Sequence, residues 1–315
     1  MRPLTIIELN RYFSCEIEVK NKFVGGNSVV HQVQAGPLSL AVKEYKGESQ
    51  RILRSLQREA SALNFLQQHH IPCVPKMLYS NEDLGFIVME FITGERPISN
   101  GDSIVAMLKF IEILKDLYQV DPSFAYAIDA GTSDDEIRSQ IRGRLSEVGA
   151  ESIELVTKIK NLIKEKKGTS IQEVLTSDLT YSVSDLGVHN SLSRQGDFYH
   201  FDLEFFGKDS PYKLVGDFLL HPQNDFSYGD NSLFLEKSML IFGLYEERLG
   251  RFVSLLSAKW TLICSKRLKK MIEANVDNEA LQAQRDLVGY YLRMAEVFAH
   301  SNEWEILLDK VRFSL

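Results

Sequence analysis

Residues 182–190 read Ser182-Val-Ser-Asp-Leu-Gly-Val-His-Asn190, and residues 198–204 read Phe198-Tyr-His-Phe-Asp-Leu-Glu204. These segments place Asp185, Asn190 and Asp202 within 18 residues, and a strand-like run leads into Asp202. Two carboxylates and a carboxamide that come together form an oxygen-rich site of the kind that holds Mg²⁺ beside a phosphate chain. Each of the three alone is more often a turn or capping residue, so the prediction of a metal site rests on their joint spacing.

The bulk composition is typical of a soluble globular protein. The 315 residues are enough for a sizeable core and indicate about two domains, and 44% of them are hydrophobic and 25% charged. The net charge of -7 argues against a general nucleic-acid-binding surface and would suit a cationic substrate.

The cysteines and the N-terminus bear on the cellular setting. Cys15, Cys73 and Cys264 are widely spaced and form no C-x-x-C, so neither a disulfide framework nor a zinc site is indicated. The first ten residues lack the long apolar region of a signal peptide, and no apolar run approaches the length of a membrane span. We therefore expect a reduced, cytoplasmic setting with no membrane partner.

The N-terminal part of the chain predicts β structure over residues 11–46, with turns at Gly25-Gly26-Asn27-Ser28 and Gly36-Pro37. The first turn would let the backbone approach a phosphate chain, with free amides and the Ser28 hydroxyl as donors. A plain hairpin turn is the alternative interpretation, because the full G-x-G-x-x-G pattern is missing.

Lys43 and Glu59 form a predicted ion pair. Alternation along the strand places Lys43 on the same face as the small Ala41, which suits an ammonium that reaches across a pocket. Residues 49–68 have the apolar spacing of an amphipathic helix that includes Leu53, and Glu59 lies at the margin of that apolar face. A carboxylate in that position needs a partner, and Lys43 is the candidate. The alternatives are a lysine at a solvent edge and a glutamate paired on its own helix.

The order of these features resembles the aminoglycoside phosphotransferase and choline kinase family, which has the protein-kinase-like fold. The resemblance rests on D-x-x-x-x-N, a hairpin and a further aspartate, after a lysine and a glutamate in the family's order, and it covers residues from about 21 to 265. It implies that Asp185 receives and orients a substrate hydroxyl and that Asn190 and Asp202 hold Mg²⁺. It also implies an ATP or other purine nucleotide and a small-molecule hydroxyl acceptor.

The same resemblance implies a nucleotide site in the first lobe. A β-hairpin is expected over residues 77–92, and its apolar second strand, Phe86 to Ile92, leads into a turn at Thr93-Gly94-Glu95. In the kinase-like fold this strand joins the lobes and its last residues meet the adenine edge, whereas an ordinary core strand would fit the residues equally well. The expected nucleotide-binding residues are Gly26, Ser28, Lys43, Glu59, Glu90 and Ile92.

Two departures from related patterns define the alternatives. Val183 stands where the family usually has a histidine two residues before the catalytic aspartate, and that histidine chiefly braces the loop. This departure and the reduced glycine turn favour a pseudokinase-like nucleotide-binding or interaction module. No long Ser/Thr-bearing activation loop and no A-P-E follow Asp202, which argues against a regulated protein kinase.

The rest of the chain predicts helices. They span about 101–120, a segment opened by a capping box of Ser133 and Glu136, about 151–166, a helix that begins at Ser210-Pro211, and much of 231–312. Asp217, among apolar neighbours in the helix after Ser210, braces the catalytic loop if the resemblance holds and is otherwise satisfied locally. The predicted fold is a bilobal α+β protein-kinase-like fold with an N-lobe over 1–92 and a C-lobe over 93–315.

Overall fold

The structure is a computed structural model that describes residues 1–25, 28–47, 50–146, 153–164 and 179–309. These residues form two compact units. The first contains Met1–Pro97 and Val188–Gly207, and the second contains Ile98–Gly187 and Lys208–Leu315.

The strands are numbered in chain order. They are β1 (Ile17–Val24), β2 (Ser28–Ala35), β3 (Leu38–Tyr45), β4 (Met77–Asn81), β5 (Phe86–Glu90), β6 (Thr180–Ser182), β7 (Ser191–Arg194), β8 (Asp197–His200) and β9 (Gly207–Asp209). The helices are α1 (Pro3–Phe13), α2 (Gln50–Gln68), α3 (Gly101–Val120), α4 (Asp134–Leu145), α5 (Ile153–Lys164), α6 (Pro211–Leu220), α7 (Tyr228–Phe242), α8 (Glu246–Glu273), α9 (Asn278–His300) and α10 (Trp304–Leu308).

The first unit is built on an antiparallel five-stranded sheet with the order β1-β2-β3-β5-β4. Strand β5 lies between two neighbours, and Phe86 to Val88 are fully buried. The prediction of a buried inner strand is therefore confirmed, although the strand ends at Glu90 rather than at Ile92. One core of this unit lies under α1, where Leu9 packs with Leu40 and Val42 of β3.

Helix α1 corrects the prediction that β structure begins at residue 11. Pro3 occupies the first turn, where its missing N–H costs nothing, and the helix continues to Phe13 before β1 begins at Ile17. The buried face of α1 does not follow its apolar residues, since Leu4 and Ile7 are exposed whereas Thr5 and Leu9 are buried. The helix is therefore recognised from its packing against the sheet and not from a pattern in its sequence.

Helix α2 follows the predicted periodicity with one exception. Leu56, Ala60, Leu63 and Leu66 are buried, but Leu53 is 41% exposed and does not belong to the core face. The exception lies in the first turn of the helix, close to its N-terminus at Gln50.

A tight hairpin, β7–β8, completes the first unit. Ser191 pairs with His200 at one end and Arg194 pairs with Asp197 at the other, which leaves a two-residue loop of Gln195 and Gly196. Both loop residues have positive φ, 55° and 89°, as in the type I′ turn that matches the twist of adjacent strands. The hairpin expected between Asn190 and Asp202 is therefore present.

The second unit is mainly helical. Helix α8 packs against α4, α6 and α9, and the predicted helices are found at α3, α4, α5 and α6. Among the described helices, none is both long enough and apolar enough to cross a bilayer.

Two helix caps expected from the sequence are present. Ser133 accepts a hydrogen bond from the Glu136 backbone N–H, while the Glu136 carboxylate binds Thr132 rather than the cap itself, so only half of the capping box forms. Ser210 caps α6, with Pro211 in the first turn.

Candidate active site

The ammonium of Lys43 lies between two carboxylates in the first unit. Its Nζ is 2.6 Å from Glu59 Oε2 and 2.6 Å from Asp202 Oδ1. Strand β3 supplies Lys43, helix α2 supplies Glu59, and the segment after β8 supplies Asp202. The predicted Lys43–Glu59 ion pair is therefore present.

Burial makes these charges strongly dependent on one another. Burial by itself would lower the pKa of Lys43, but Glu59 and Asp202 outweigh it and raise that pKa, so the side chain stays cationic. Burial raises the pKa of Glu59, and the nearby Lys43 offsets part of this effect. Asp202 differs from Glu59 in exposure, since 37% of its side chain is exposed against 2% for Glu59. The open end of the cluster is therefore at Asp202.

Tyr45 is a third member of the cluster that the sequence reasoning did not assign. It lies two residues after Lys43 on the same strand face, and its hydroxyl donates a hydrogen bond to Glu59 Oε2. Burial and the adjacent Glu59 raise the pKa of Tyr45, which keeps it protonated and a donor. The phenol and the ammonium together hold one oxygen of Glu59.

The predicted glycine turn is described in part. Gly26 lies outside the described residues, while Ser28 begins β2 and pairs with Tyr45 of β3. The backbone N–H of Gly25 donates to Ser28 O at 3.0 Å, and Lys46 Nζ donates to Gly25 O at 2.8 Å. Val30 of β2 pairs with Lys43 of β3, so Ser28, at the start of β2, lies two residues before the position that is paired with the lysine.

Glu90 and Ile92 lie at the end of the inner strand β5. The Glu90 carboxylate accepts from the Lys76 backbone N–H at 3.0 Å, and the Glu90 N–H donates to Lys76 O at 2.9 Å. Ile92 is buried beyond the strand end, and Phe91 N–H donates to Ser39 O. The role of Glu90 and Ile92 in adenine binding stays a prediction.

Asn190 directly precedes β7 and Asp202 follows β8, so both residues lie at the open end of the β7–β8 hairpin. Asn190 ends a single 3₁₀ turn directly before β7, and its carbonyl accepts from Phe201 N–H at 3.0 Å, next to Asp202. Asp202 itself has a φ of 64°, a left-handed conformation that is uncommon for a residue other than glycine. Such backbone geometry often marks functional positions, because neighbouring structure must hold it in place.

The donor set at this end of the hairpin fits a hard divalent cation. An amide oxygen and a carboxylate are the kinds of ligand that Mg²⁺ takes, usually with phosphate oxygens and water completing its shell. The side chain of Asp202 is partly exposed, so it is accessible to such a cation. Asn190 and Asp202 are therefore suitable residue types for the predicted metal.

Asp185 belongs to the second unit and has its own partners there. It follows β6 in a tight loop in which Ser184 has a φ of 59° and Asp185 N–H donates to Val183 O at 2.7 Å. One carboxylate oxygen, Oδ1, lies 3.2 Å from His221 Nε2, and the Asp185 side chain is 36% exposed. This loop carries an accessible carboxylate on a constrained backbone.

Lys213 supports the loop from α6. Its Nζ lies 3.0 Å from Asp209, 2.8 Å from Asp217 and 3.3 Å from Ser184 Oγ. Asp217 also accepts from the Trp260 indole at 3.3 Å. Asp217 is thus satisfied by side-chain partners within this unit, and among these contacts it is linked to the Asp185 loop through Lys213.

Two of the residues that sequence reasoning missed had a local signal. Lys213 is four residues before Asp217 on α6, a spacing that favours an ion pair on a helix, and it is four residues after Asp209 at the end of β9. Tyr45 shares the strand face of Lys43. His221 has no such signal for Asp185, because the 36 positions that separate them are bridged only by the folded chain (221 − 185).

Comparison with known proteins supports the fold. No family sequence model matches the chain, and no curated protein sequence matches it. A solved choline kinase from Cryptosporidium parvum has a TM-score of 0.66 at 14% identity, over 98% of this chain and 100% of that chain. A putative aminoglycoside phosphotransferase from Ralstonia eutropha has a TM-score of 0.66 at 14% identity, over 91% and 93% of the two chains.

A third solved structure carries ligands. Spectinomycin phosphotransferase, in complex with ADP and spectinomycin, has a TM-score of 0.59 at 12% identity, over 96% of this chain and 99% of that chain. The three are choline kinase and aminoglycoside phosphotransferase structures, the group that the sequence resembles. The predicted α+β protein-kinase-like fold is therefore confirmed, with small-molecule kinases among its structural neighbours.

Proposed function

We propose that the protein is an ATP- and Mg²⁺-dependent phosphotransferase that acts on a hydroxyl group of a small molecule. The observation that carries this proposal is the cluster in the first unit, where Lys43 contacts both Glu59 and the partly exposed Asp202. A lysine oriented by a buried glutamate and placed beside a metal-type aspartate is the arrangement that kinase-like phosphotransferases use. The structural neighbours, which are small-molecule kinases, support the same reaction class.

The nucleotide site would use residues from four parts of the first unit. Lys43 would bind the α- and β-phosphates, held in place by Glu59. The turn with Gly26 and Ser28 would cover the phosphates, because backbone amides and a hydroxyl donate well to anionic oxygens. The backbone at Glu90 and Ile92 would meet the adenine edge.

Asn190 and Asp202 would hold Mg²⁺ through their side-chain oxygens. When bound there, Mg²⁺ would neutralise charge on the phosphate oxygens. The carboxylate of Asp202 contacts Lys43 through Oδ1 and its side chain is 37% exposed, so it would be accessible to the cation.

Asp185 would position the acceptor hydroxyl and accept its proton late in the transfer. Phosphoryl-transfer transition states are loose, so positioning and charge neutralisation contribute more than strong base catalysis. A carboxylate that is 36% exposed on a constrained loop is suited to this task. We place the enzyme in the cytoplasm, in keeping with three free cysteines.

A second candidate function is nucleotide binding without phosphoryl transfer. Val183, which is buried, occupies the position at which the resembled family usually has a loop-bracing histidine. In such a module the Lys43 cluster would bind a nucleotide while Asp185 would have no chemical role. The first candidate predicts phosphoryl transfer that is lost when Asp185 is changed, whereas the second predicts no transfer at all.

A thermal-shift titration with ATP, with and without Mg²⁺, tests the nucleotide site. Saturation at about 100 times Kd adds about 2.7 kcal/mol, which corresponds to roughly 4 °C for a chain of this size. We expect a metal-dependent shift in the wild type and its loss in Asp202→Ala. Asp197→Ala changes an exposed aspartate in the β7–β8 hairpin that precedes Asp202, and this matched control should keep the full shift. The absence of any shift with purine nucleotides would refute the proposal.

Turnover by Asp185→Asn separates the two candidates once hydroxyl acceptors have been screened. The variant should bind Mg²⁺ and ATP as the wild type does, yet lose transfer by at least about a hundredfold, because the acceptor is no longer positioned and deprotonated. Transfer at the wild-type rate would show that Asp185 is not the catalytic residue.

A further inference from the structure

His221 and Asp185 form a close pair in the second unit. His221 follows the last residue of α6, and its Nε2 lies 3.2 Å from Asp185 Oδ1. The imidazole is 16% exposed, so the contact is sheltered from solvent on the histidine side. A polar contact of this length is within hydrogen-bond range for a ring N–H and a carboxylate.

The other ring nitrogen determines which one carries the proton. The backbone N–H of Gln223 donates to His221 Nδ1 at 3.2 Å. A nitrogen that accepts an N–H must present its lone pair, so the proton of the ring lies on Nε2. These contacts are the pattern of a neutral imidazole whose Nε2–H donates to Asp185.

Both sides of this contact are held by the same buried residue. The side-chain amide of Asn224, which is fully buried, donates to Leu186 O at 2.9 Å and to Phe218 O at 3.1 Å. Leu186 is next to Asp185, and Phe218 lies in the last turn of α6, shortly before His221 at the helix end. Asn224 thus ties the Asp185 loop to the helix end that carries His221.

We propose that His221 is the positioning residue for Asp185, and this inference rests on the proposed phosphotransferase function. A neutral donor fixes the orientation of the carboxylate without the strong drop in basicity that a cation would cause, since a positive neighbour lowers a carboxyl pKa by about 1–3 units. Because Val183 provides no polar side chain for the loop, the bracing group comes from the end of α6 instead.

The kinetic test uses two amide variants that differ in where they place a donor. In His221→Gln the new amide would lie near the position of Nε2, whereas in His221→Asn it would lie near that of Nδ1. We expect His221→Asn to lower kcat about 10- to 100-fold with nucleotide affinity within about twofold, and His221→Gln to recover most of the loss. His300→Asn, an exposed histidine at the end of α9, should match the wild type.

Equal losses in the Gln and Asn variants, or losses confined to nucleotide affinity, would overturn the proposal. Nitrogen NMR of the histidine rings in the full chain supplies a readout that does not depend on turnover. The Nε2–H tautomer is expected at neutral pH, with ring resonances that move in Asp185→Asn and stay unchanged in Asp197→Ala. An Nδ1–H tautomer or an imidazolium would also overturn it.

The proposed function and the role of His221 would fail in different ways. If the wild type binds no Mg²⁺–ATP and transfers no phosphoryl group, the proposed function fails, and with it the positioning role. If the wild type is active but the tautomer or the pattern of variants differs from expectation, only the role of His221 fails.

Discussion

Each unit contains a buried lysine whose ammonium lies between two carboxylates. Lys213 is flanked by Asp209 and Asp217, whose side chains are 0% and 11% exposed, so neither carboxylate is open to a ligand from solvent. Lys43 has one buried partner, Glu59, and one partly exposed partner, Asp202. Of the two arrangements, only that of Lys43 has a partly exposed carboxylate that can exchange its partner for a ligand. We therefore propose the Lys43 cluster for nucleotide binding and Lys213 for support of the Asp185 loop.

A double-mutant cycle at residues 43 and 59 tests the coupling. Lys43→Met leaves Glu59 buried without its cation and should cost about 3–5 kcal/mol, whereas Glu59→Gln should cost less because Lys43 keeps Asp202. The double variant should be more stable than the sum of the single effects predicts. Urea unfolding followed by circular dichroism measures all four proteins, and additive effects would contradict the coupling.

Lys259 is expected to lower stability at neutral pH. Burial, more than the nearby Lys213, lowers its pKa to about 8, and its ammonium donates to Gln140 at 2.6 Å. Below about pH 8 the side chain is protonated in both the folded and the unfolded chain, so the whole cost of burying the charge is present. Between about pH 8 and the ordinary lysine value of 10.5, the unfolded chain holds more protons, so stability rises with pH.

Lys259→Met should therefore raise the free energy of unfolding by about 1–3 kcal/mol at pH 7. The advantage over the wild type should shrink as the pH rises above 8. Urea titrations at several pH values measure the difference. Lys269→Met, an exposed lysine on the same helix, is the control and should show neither effect. A destabilised Lys259→Met protein at pH 7 would contradict this prediction.

At the scale of elements, α6 and α8 approach closely at a glycine. A Cβ added to Gly216 of α6 would lie 2.8 Å from Leu256 Cδ1 and 3.7 Å from Val253 Cγ2, both of them buried side chains of α8. This close approach holds α6, which supplies Lys213 and precedes His221, against the long α8. The position of the loop that carries Asp185 thus depends on helix packing as well as on polar contacts.

Two glycine-to-alanine changes test this packing. Gly216→Ala should destabilise the protein by about 1–3 kcal/mol, because a packed core tolerates an added methyl group poorly. Gly289→Ala in α9 is the matched change, because among the described residues no heavy atom beyond the adjacent residues and the helix's own backbone lies within 4 Å of an added Cβ there. It should stabilise the helix by up to about 1 kcal/mol. Thermal unfolding separates the two, and equal effects would contradict the close contact.

At the scale of the whole molecule, each unit has a core of its own, and each contains one shielded thiol. Burial raises the pKa of Cys73 in the first unit and of Cys264 in the second, each to about 11. Since the thiolate is the reactive form, both should react slowly with thiol reagents in the folded state. Their labelling therefore reports on the opening of each unit separately.

Maleimide labelling at about pH 8, followed by peptide mass spectrometry, measures these rates, because the thiolate population of an ordinary cysteine is substantial there. The variant Cys15→Ser leaves Cys73 and Cys264 as the two thiols whose labelling is followed. The rates at Cys73 and Cys264 should rise at different urea concentrations if the two cores open independently. Rapid labelling of Cys264 without denaturant would contradict its buried position in α8.

Local patterns predicted much of the fold. Apolar spacing located α2, α3 and β5, and the cap residues Ser133 and Ser210 located two helix starts. The Lys43–Glu59 pair also followed from the sequence, because a carboxylate beside an apolar stripe requires a cation. The chemical roles of Asp185, Asn190 and Asp202 stay predictions, which nucleotide titration and turnover of the variants test.

The sequence by itself thus determined the elements, the order of the motif residues and one buried ion pair, since periodicity and capping act over a few residues. Only the tertiary structure decided that Lys43 also meets Asp202, 159 positions away, and that His221 meets Asp185. It also decided that α1 forms against the sheet. These contacts depend on the path of the chain between distant elements, and packing sets that path through many small contributions that no local pattern encodes.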